Sequence, residues 1–187
     1  MAPKQKITRD QIIDGAVNFV RENGADALKA RELSLYLHCS TQPIFSNFSG
    51  MTELRQTVIR QAIRICDGYV GIDCSDPDAS LKMGIGYLRF ANEERNLFRL
   101  LFLNSKDDMQ SVGFDCDKHK TDGVFRKILG EGEKKSERLR LEKWVAVHGI
   151  AALICTGYFD WDMENTKKML TNIFCALSDR FAKNGES

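Results

Sequence analysis

The sequence predicts an all-α fold: a three-helix unit at the N-terminus followed by a longer helical body, about nine helices in all. Three observations carry that expectation. Only three prolines, Pro3, Pro43 and Pro77, interrupt the 187 residues, and proline is the residue that most strongly stops a helix. Apolar residues recur mostly at intervals of three and four, the spacing that lines one face of a helix. Capping residues stand where those periodic runs begin and end. A chain of this length can bury a substantial core, in one domain or two small ones.

Thr8 is a good N-cap, and Gln11 three residues later completes a capping box. Ile12, Ile13, Ala16, Val17 and Val20 then form one stripe, and Gly24 closes the first helix as its C′ residue. A second helix, from about Lys29 to Leu37, buries Ala30, Leu33 and Leu37. At about two turns it depends on its neighbours for stability. The stretch "CSTQPIFSNFSG", residues 39–50, reads as a very short helix. Ser40 caps it, and Pro43 lies in the first turn, where a missing N–H costs little. Ile44 and Phe48 are four apart and share its buried face, which leaves Thr41, Gln42, Ser46 and Asn47 facing outward. Ser49 and Gly50 end it, and Glu53 marks the start of the next helix.

Two short helices joined by the tight turn His38-Cys39, braced by a third, make a helix-turn-helix. The second of the pair would enter a major groove, where Gln and Asn read adenine edges and a Thr methyl meets thymine. Periodicity alone leaves a second reading open, a helical hairpin in a bundle with a polar outside. Charge adds little. Residues 1–64 carry 9 Lys+Arg against 6 Asp+Glu, and the remainder 18 against 20, a surplus far short of a basic arm.

The long helix that follows, 51–71, places Leu54, Val58, Ala62, Ile65 and Tyr69 on one face, and "GIDCSDPDA" is a linker. "SLKMGIGYLRFA" is apolar nearly all round, as for a helix buried in the middle of the body. Its Gly84 and Gly86 do not make a dinucleotide fingerprint, since no strand precedes them; they permit close helix contact or leave space for a ligand. "NLFRLLFLNS" is a short apolar helix, residues 106–121 a polar loop, and "DGVFRKIL" another short helix before the turn "GEGEKKS". "ERLRLEKWVAVHGIAALICTGYF" forms a long helix with Leu141, Val145, His148, Ala152 and Cys155 at helical spacing. The last helix carries Leu170, Ile173, Phe174, Leu177 and Phe181.

The candidate chemical sites are few. Six scattered cysteines include no Cys-x-x-Cys pair, so Cys39, Cys66, Cys155 and Cys175 read as small core residues in a reducing cytoplasm. Cys116-x-x-His119 with its flanking aspartates lacks the four-ligand pattern of structural zinc. No metal and no cofactor are expected. His148 on an apolar helix reads as a hydrogen-bonded core or interface histidine, with no nucleophile and orienting partner beside it, so no catalytic residue and no enzymatic activity are expected. Met83, Tyr87, Phe90, Phe98, Phe102, Trp144 and His148 either line an apolar pocket or are ordinary core. With no apolar segment near the N-terminus and no stretch approaching a membrane span, the expectation is a soluble cytoplasmic protein with no membrane partner.

Residues 8–59 resemble the DNA-binding domain of the tetracycline-repressor (TetR) family of bacterial regulators. The likeness runs through "IIDGAVNFVRENGADALKARELSLYL", the turn "HCS" and "TQPIFSNFSGMTEL". "YLRFANEERNLFRLLF" and the Trp144, His148, Gly149 pattern resemble the WHG version of that family's C-terminal domain. The chain departs from the family pattern at His38, where Gly is usual, at Phe45 (Tyr), at Met51 (Lys) and at Lys29 (a small hydroxyl residue). The resemblance implies a DNA-binding domain over 1–50 and an effector-binding and dimerisation domain over 51–187, with helix 51–71 connecting them. It implies a ligand-responsive repressor that binds a palindromic operator in double-stranded DNA as a homodimer through its last two helices. Thr41, Gln42, Pro43, Ser46 and Asn47 would meet the groove, and Phe45 would stand at the DNA surface where the family's Tyr hydroxyl contacts a phosphate. Lys29, Arg31, Met51 and the Lys4–Lys6 arm would lie against phosphates, and an apolar or amphipathic effector would enter the body. The alternative is a helical small-molecule-binding protein or enzyme whose helix-turn-helix is vestigial.

Overall fold

The structure, a computed structural model, describes residues 7–71, 79–103, 134–158 and 162–183. Among them the fold is all-α, with no strand. The helices are α1 (Arg9–Asn23), α2 (Ala30–Tyr36), α3 (Gln42–Asn47), α4 (Met51–Val70), α5 (Ala79–Glu93), α6 (Arg95–Phe98), α7 (Lys134–Cys155) and α8 (Met163–Lys183), with a π-helical turn Arg99–Leu103 continuing α6. The predicted linker, the loop 106–121, the helix "DGVFRKIL" and the pair Cys116 and His119 lie outside the described residues.

The described residues fall into two compact units. The first holds α1 to α3, α4 as far as Arg64, and Asn96 onward through the π-helical turn. Its core is Ile12, Ala16, Val17 and Val20 of α1, with Leu28, Leu33, Ile44, Leu54 and Val58. The predicted capping box is present: the Thr8 hydroxyl accepts from the Gln11 amide at 3.2 Å, and the Gln11 side chain accepts from the Thr8 amide at 2.9 Å. Gly24 ends α1 at φ +82°, a conformation that favours glycine. Phe19 meets Tyr36 edge-on at 5.4 Å, which fastens α2 to α1.

The second unit holds the end of α4 from Ile65, then α5, α7 and α8. As predicted, α5 is buried almost all round, through Met83, Gly84, Gly86, Tyr87, Leu88, Phe90 and Ala91. Of the two uses foreseen for its glycines, close contact is the one Gly86 shows: a Cβ there would lie 2.1 Å from the Tyr69 carbonyl oxygen. On α4 the predicted stripe drifts by one residue, so that Cys66 and Val70 are buried while Ile65 and Tyr69 are half-buried. The buried row Leu54, Val58, Ala62, Cys66 and Val70 keeps a spacing of four where the predicted stripe steps by three, so the buried face winds slowly around the 3.6-residue helix.

Three further expectations are corrected. On α7 the buried stripe is Val147, Ile150, Ala151 and Ile154, whereas Leu141 and Val145 are exposed. The sequence holds apolar residues on both sides of this helix, and spacing alone does not say which side packs on α5. Cys66 and Cys155 are buried as expected, but Cys39 is half-buried in a turn and Cys175 is exposed on α8. The α3 cap is Thr41 rather than Ser40. Thr41 already has helical torsions, φ −71° and ψ −16°, and its carbonyl accepts from the Ile44 and Phe45 amides, so the first turn closes on Thr41.

Candidate nucleic-acid interface

The surface centres on α3 and the turn that leads into it. α2 ends in a Schellman motif: the Cys39 amide bonds the Ser34 carbonyl at 2.9 Å and the His38 amide bonds the Leu35 carbonyl at 3.1 Å. That geometry needs a left-handed residue, and His38 supplies it at φ +52°. It does so at a steric cost that glycine would avoid.

α3 is six residues long and amphipathic. Ile44 is fully buried and Phe48, just beyond it, nearly so. On the other side Gln42, Phe45 and Ser46 are exposed, Phe45 to 54%. Thr41 and Asn47, predicted to be exposed, are half-buried, as is Pro43. Two polar groups are partly committed to the helix itself. The Ser46 hydroxyl donates to the Gln42 carbonyl at 2.9 Å, and the Asn47 side-chain nitrogen donates to the Pro43 carbonyl at 2.8 Å. Gln42 therefore offers the most accessible amide on this face. Lys29, at the N-cap of α2, and Arg31, in its first turn, are exposed; Met51, which opens α4, is half-buried.

Beneath α3 lies a polar junction. The Arg9 guanidinium donates to the Asn47 carbonyl and to Glu53 Oε1, the latter at 2.8 Å, and sits 4.0 Å from the centre of the Phe48 ring. The second Glu53 oxygen accepts from the Ser49 amide at 2.7 Å. That backbone bond, with Arg9 beside it, holds the Glu53 carboxyl down at about 2. Arg9 is absent from the site that the sequence predicts, and Glu53 enters there only as a helix start. The signal that remained was an arginine in the first turn of a helix, the end where a cation is disfavoured.

In the second unit Tyr87, Trp144 and His148 come together. Tyr87 Oη lies 3.1 Å from His148 Nδ1, Trp144 stacks on the His148 ring at 5.4 Å, and Tyr87 and Trp144 rings are 5.0 Å apart. Burial pushes the Tyr87 hydroxyl well up and the His148 imidazole down. Met83 and Phe90 are buried on the same helix as Tyr87. Phe98 and Phe102 pair with each other at 5.2 Å in the first unit.

No family model matches the chain. It is similar to an uncharacterized HTH-type transcriptional regulator, Rv0681, of Mycobacterium tuberculosis: 25% identical over 169 residues, which cover 86% of this chain and 76% of that protein. An overlap of that extent reaches well beyond the helix-turn-helix into the second unit. Among the described residues no helix is long and apolar enough to cross a membrane.

Proposed function

We propose that this protein is a DNA-binding transcriptional regulator of the TetR type, a cytoplasmic ligand-responsive repressor that holds a palindromic operator as a homodimer. The observation that carries the reading is α3, whose Ile44 is fully buried while Gln42, Phe45 and Ser46 are exposed on the other side. A six-residue helix with that division is built to present side chains, and its dimensions suit a major groove. Similarity to an HTH-type regulator over most of the chain supports it.

Gln42 is the principal base reader in this proposal, with Ser46, Thr41 and Asn47 beside it. Lys29 and Arg31 take phosphates, and the Phe45 ring packs against the sugar-phosphate edge. One such unit carries few basic residues, so affinity comes from two of them on one site. Two copies join through α7 and α8. Leu141, Val145 and Leu153 are exposed on one side of α7, Val145 to 62%, with the open Gly149 among them. The Tyr87, Trp144 and His148 cluster is the polar edge of the effector site, and no catalytic step is assigned to it. An effector acts by its differential affinity for the state with mismatched heads.

Selection of bound sequences from random duplex DNA tests the reading. The expected outcome is an enriched palindrome, binding that weakens steeply with salt, and a loss of about 1–3 kcal/mol at one base pair per half-site in Gln42→Ala. Enrichment that is equal for wild type and Gln42→Ala would remove Gln42 from the contact surface, and no enrichment at low salt would remove DNA binding altogether.

A further inference from the structure

We infer that Arg9 is the positioning residue of the α3 surface: its guanidinium fastens the turn between α3 and α4, so that Gln42, Phe45 and Ser46 are held in one orientation. The inference rests on the DNA-binding reading of α3.

α3 cannot hold itself. Six residues close few intrahelical bonds and sit far below the length at which a helix is stable alone. Within the helix only Ile44 is buried, and one anchor leaves a short helix free to pivot about it. What resists the pivot is its C-terminal end, where the chain leaves the helix at Phe48 with extended torsions, φ −134° and ψ 142°. Arg9 holds that end by three contacts at once: the carbonyl of Asn47, the last residue of α3; the face of the Phe48 ring; and the carboxylate of Glu53, which grips the Ser49 amide from the α4 side.

The chemistry calls for arginine specifically. A guanidinium offers a planar fork of donors and a flat face that stacks, whereas a lysine ammonium is a single point charge that cannot meet all three partners. Its location argues the same way. Arg9 opens α1, where the helix dipole opposes a cation, while the Asn47 carbonyl at the end of α3 favours one. Tertiary partners, rather than local helix preference, account for the arginine. The clamp is grounded in turn on α1, whose start is fixed by the Thr8–Gln11 capping box.

The test uses the full chain with Arg9→Gln and Arg9→Lys, followed by amide hydrogen exchange and by selection from random duplex DNA. Arg9→Gln is expected to speed exchange at Phe48 and Ser49 at least tenfold while Ala16 and Val17 stay as in wild type, which separates a loosened turn from a loosened fold. Operator affinity is expected to fall tenfold or more, with flattened preference at the base pair read by Gln42. Adding Gln42→Ala to Arg9→Gln should then cost less than it costs in wild type. Arg9→Lys keeps the charge and should recover neither the exchange protection nor the base preference. Wild-type exchange at Phe48 and Ser49 in Arg9→Gln would overturn the inference. So would full recovery by Arg9→Lys, or a uniform loss of affinity with unchanged preference, since either makes Arg9 a phosphate contact only. A wild-type protein that enriches no sequence overturns the DNA-binding reading and the role built on it; the exchange ratio separates that failure from failure of the clamp itself.

Discussion

α2 in the first unit and α7 in the second both finish in a Schellman motif, but His38 occupies the left-handed position of one and Gly157 that of the other. At α7 the Gly157 and Tyr158 amides bond the Ile154 and Leu153 carbonyls at 3.0 and 3.1 Å, the same pattern as at α2, and Gly157 sits at φ +72° against +52° for His38. The two units also join their helices differently. The first relies on polar side chains that reach across to backbone carbonyls: Arg9 to Asn47, Arg55 to Leu28 at 3.0 Å, and Asn96 to Arg21 at 2.8 Å. The second relies on close apolar approach, with a Cβ at Gly84 already 3.0 Å from Leu170 and one at Gly86 inside the Tyr69 carbonyl. Short helices bury too little to be held by packing alone, so the first unit supplements packing with directed bonds. Long helices bury more of themselves, so in the second unit small residues at the crossings set the approach, with side-chain bonds such as Tyr87 to His148 and Arg180 to Glu142 beside them.

The sharpest way to break that contrast is Gly86→Ala. The clash would be with backbone, which cannot rotate away, so the expected loss is about 3 kcal/mol, at the upper end of overpacking costs, read from denaturant unfolding. A cost near zero would mean that α4 and α5 can part without penalty. The two caps give a smaller, paired effect of opposite sign. Gly157→Ala should destabilise by about 1 kcal/mol, since an L-residue pays for the left-handed conformation. His38→Gly should stabilise by only about 0.5 kcal/mol, because glycine also loosens the unfolded chain. Effects of the same sign at both positions would show that the caps are not equivalent.

Acid offers the gentlest test, because the two units respond in different windows. His148 is pushed down from 6.5 by burial, so the unfolded chain takes up that proton first. Stability from the neutral imidazole is full above 6.5 and falls as pH drops below it. Glu53 is held at about 2 against an ordinary 4.5, so its contribution is full above 4.5 and is lost between 4.5 and about 2. Between pH 6.5 and 4.5, therefore, the second unit should weaken while the Glu53 junction stays intact. Melting across that range should show the slope, and His148→Gln should flatten it.

Much of this fold was legible in the sequence because it is written in local signals. The Thr8–Gln11 box, Gly24, the buried pair Ile44 and Phe48, and the all-round burial of α5 all depend on residues within a few positions of one another. The expectations that missed depend on partners distant in sequence. Which side of α7 packs on α5 is decided by α5, so helical spacing alone does not tell the exposed Leu141 and Val145 from the buried Val147 and Ile154. Thr41 takes the α3 cap in place of Ser40, its carbonyl accepting from the Ile44 and Phe45 amides. The role of Arg9 is not legible in the sequence because its three partners lie 38 to 44 residues away, and no spacing rule links them. At the α3 surface itself, residue type gave Gln42, Ser46 and Asn47, but only coordinates show that Asn47 turns its amide back onto Pro43.

The division between the units falls inside α4, between Arg64 and Ile65, and this has a practical consequence for cutting the gene. A fragment ended at Gly50 would lack Glu53, the acceptor for both Arg9 and the Ser49 amide. It would also lose Leu54, Val58, Ile59 and Ala62, all fully or nearly fully buried. One ended at Arg64 keeps these but still lacks Asn96–Leu103 of the same unit, with the buried Leu97, Phe98 and Leu100 and the bond from Asn96 to the Arg21 carbonyl. An isolated first unit for spectroscopy should therefore reach past Gly50 to Arg64 and also carry the segment from Asn96.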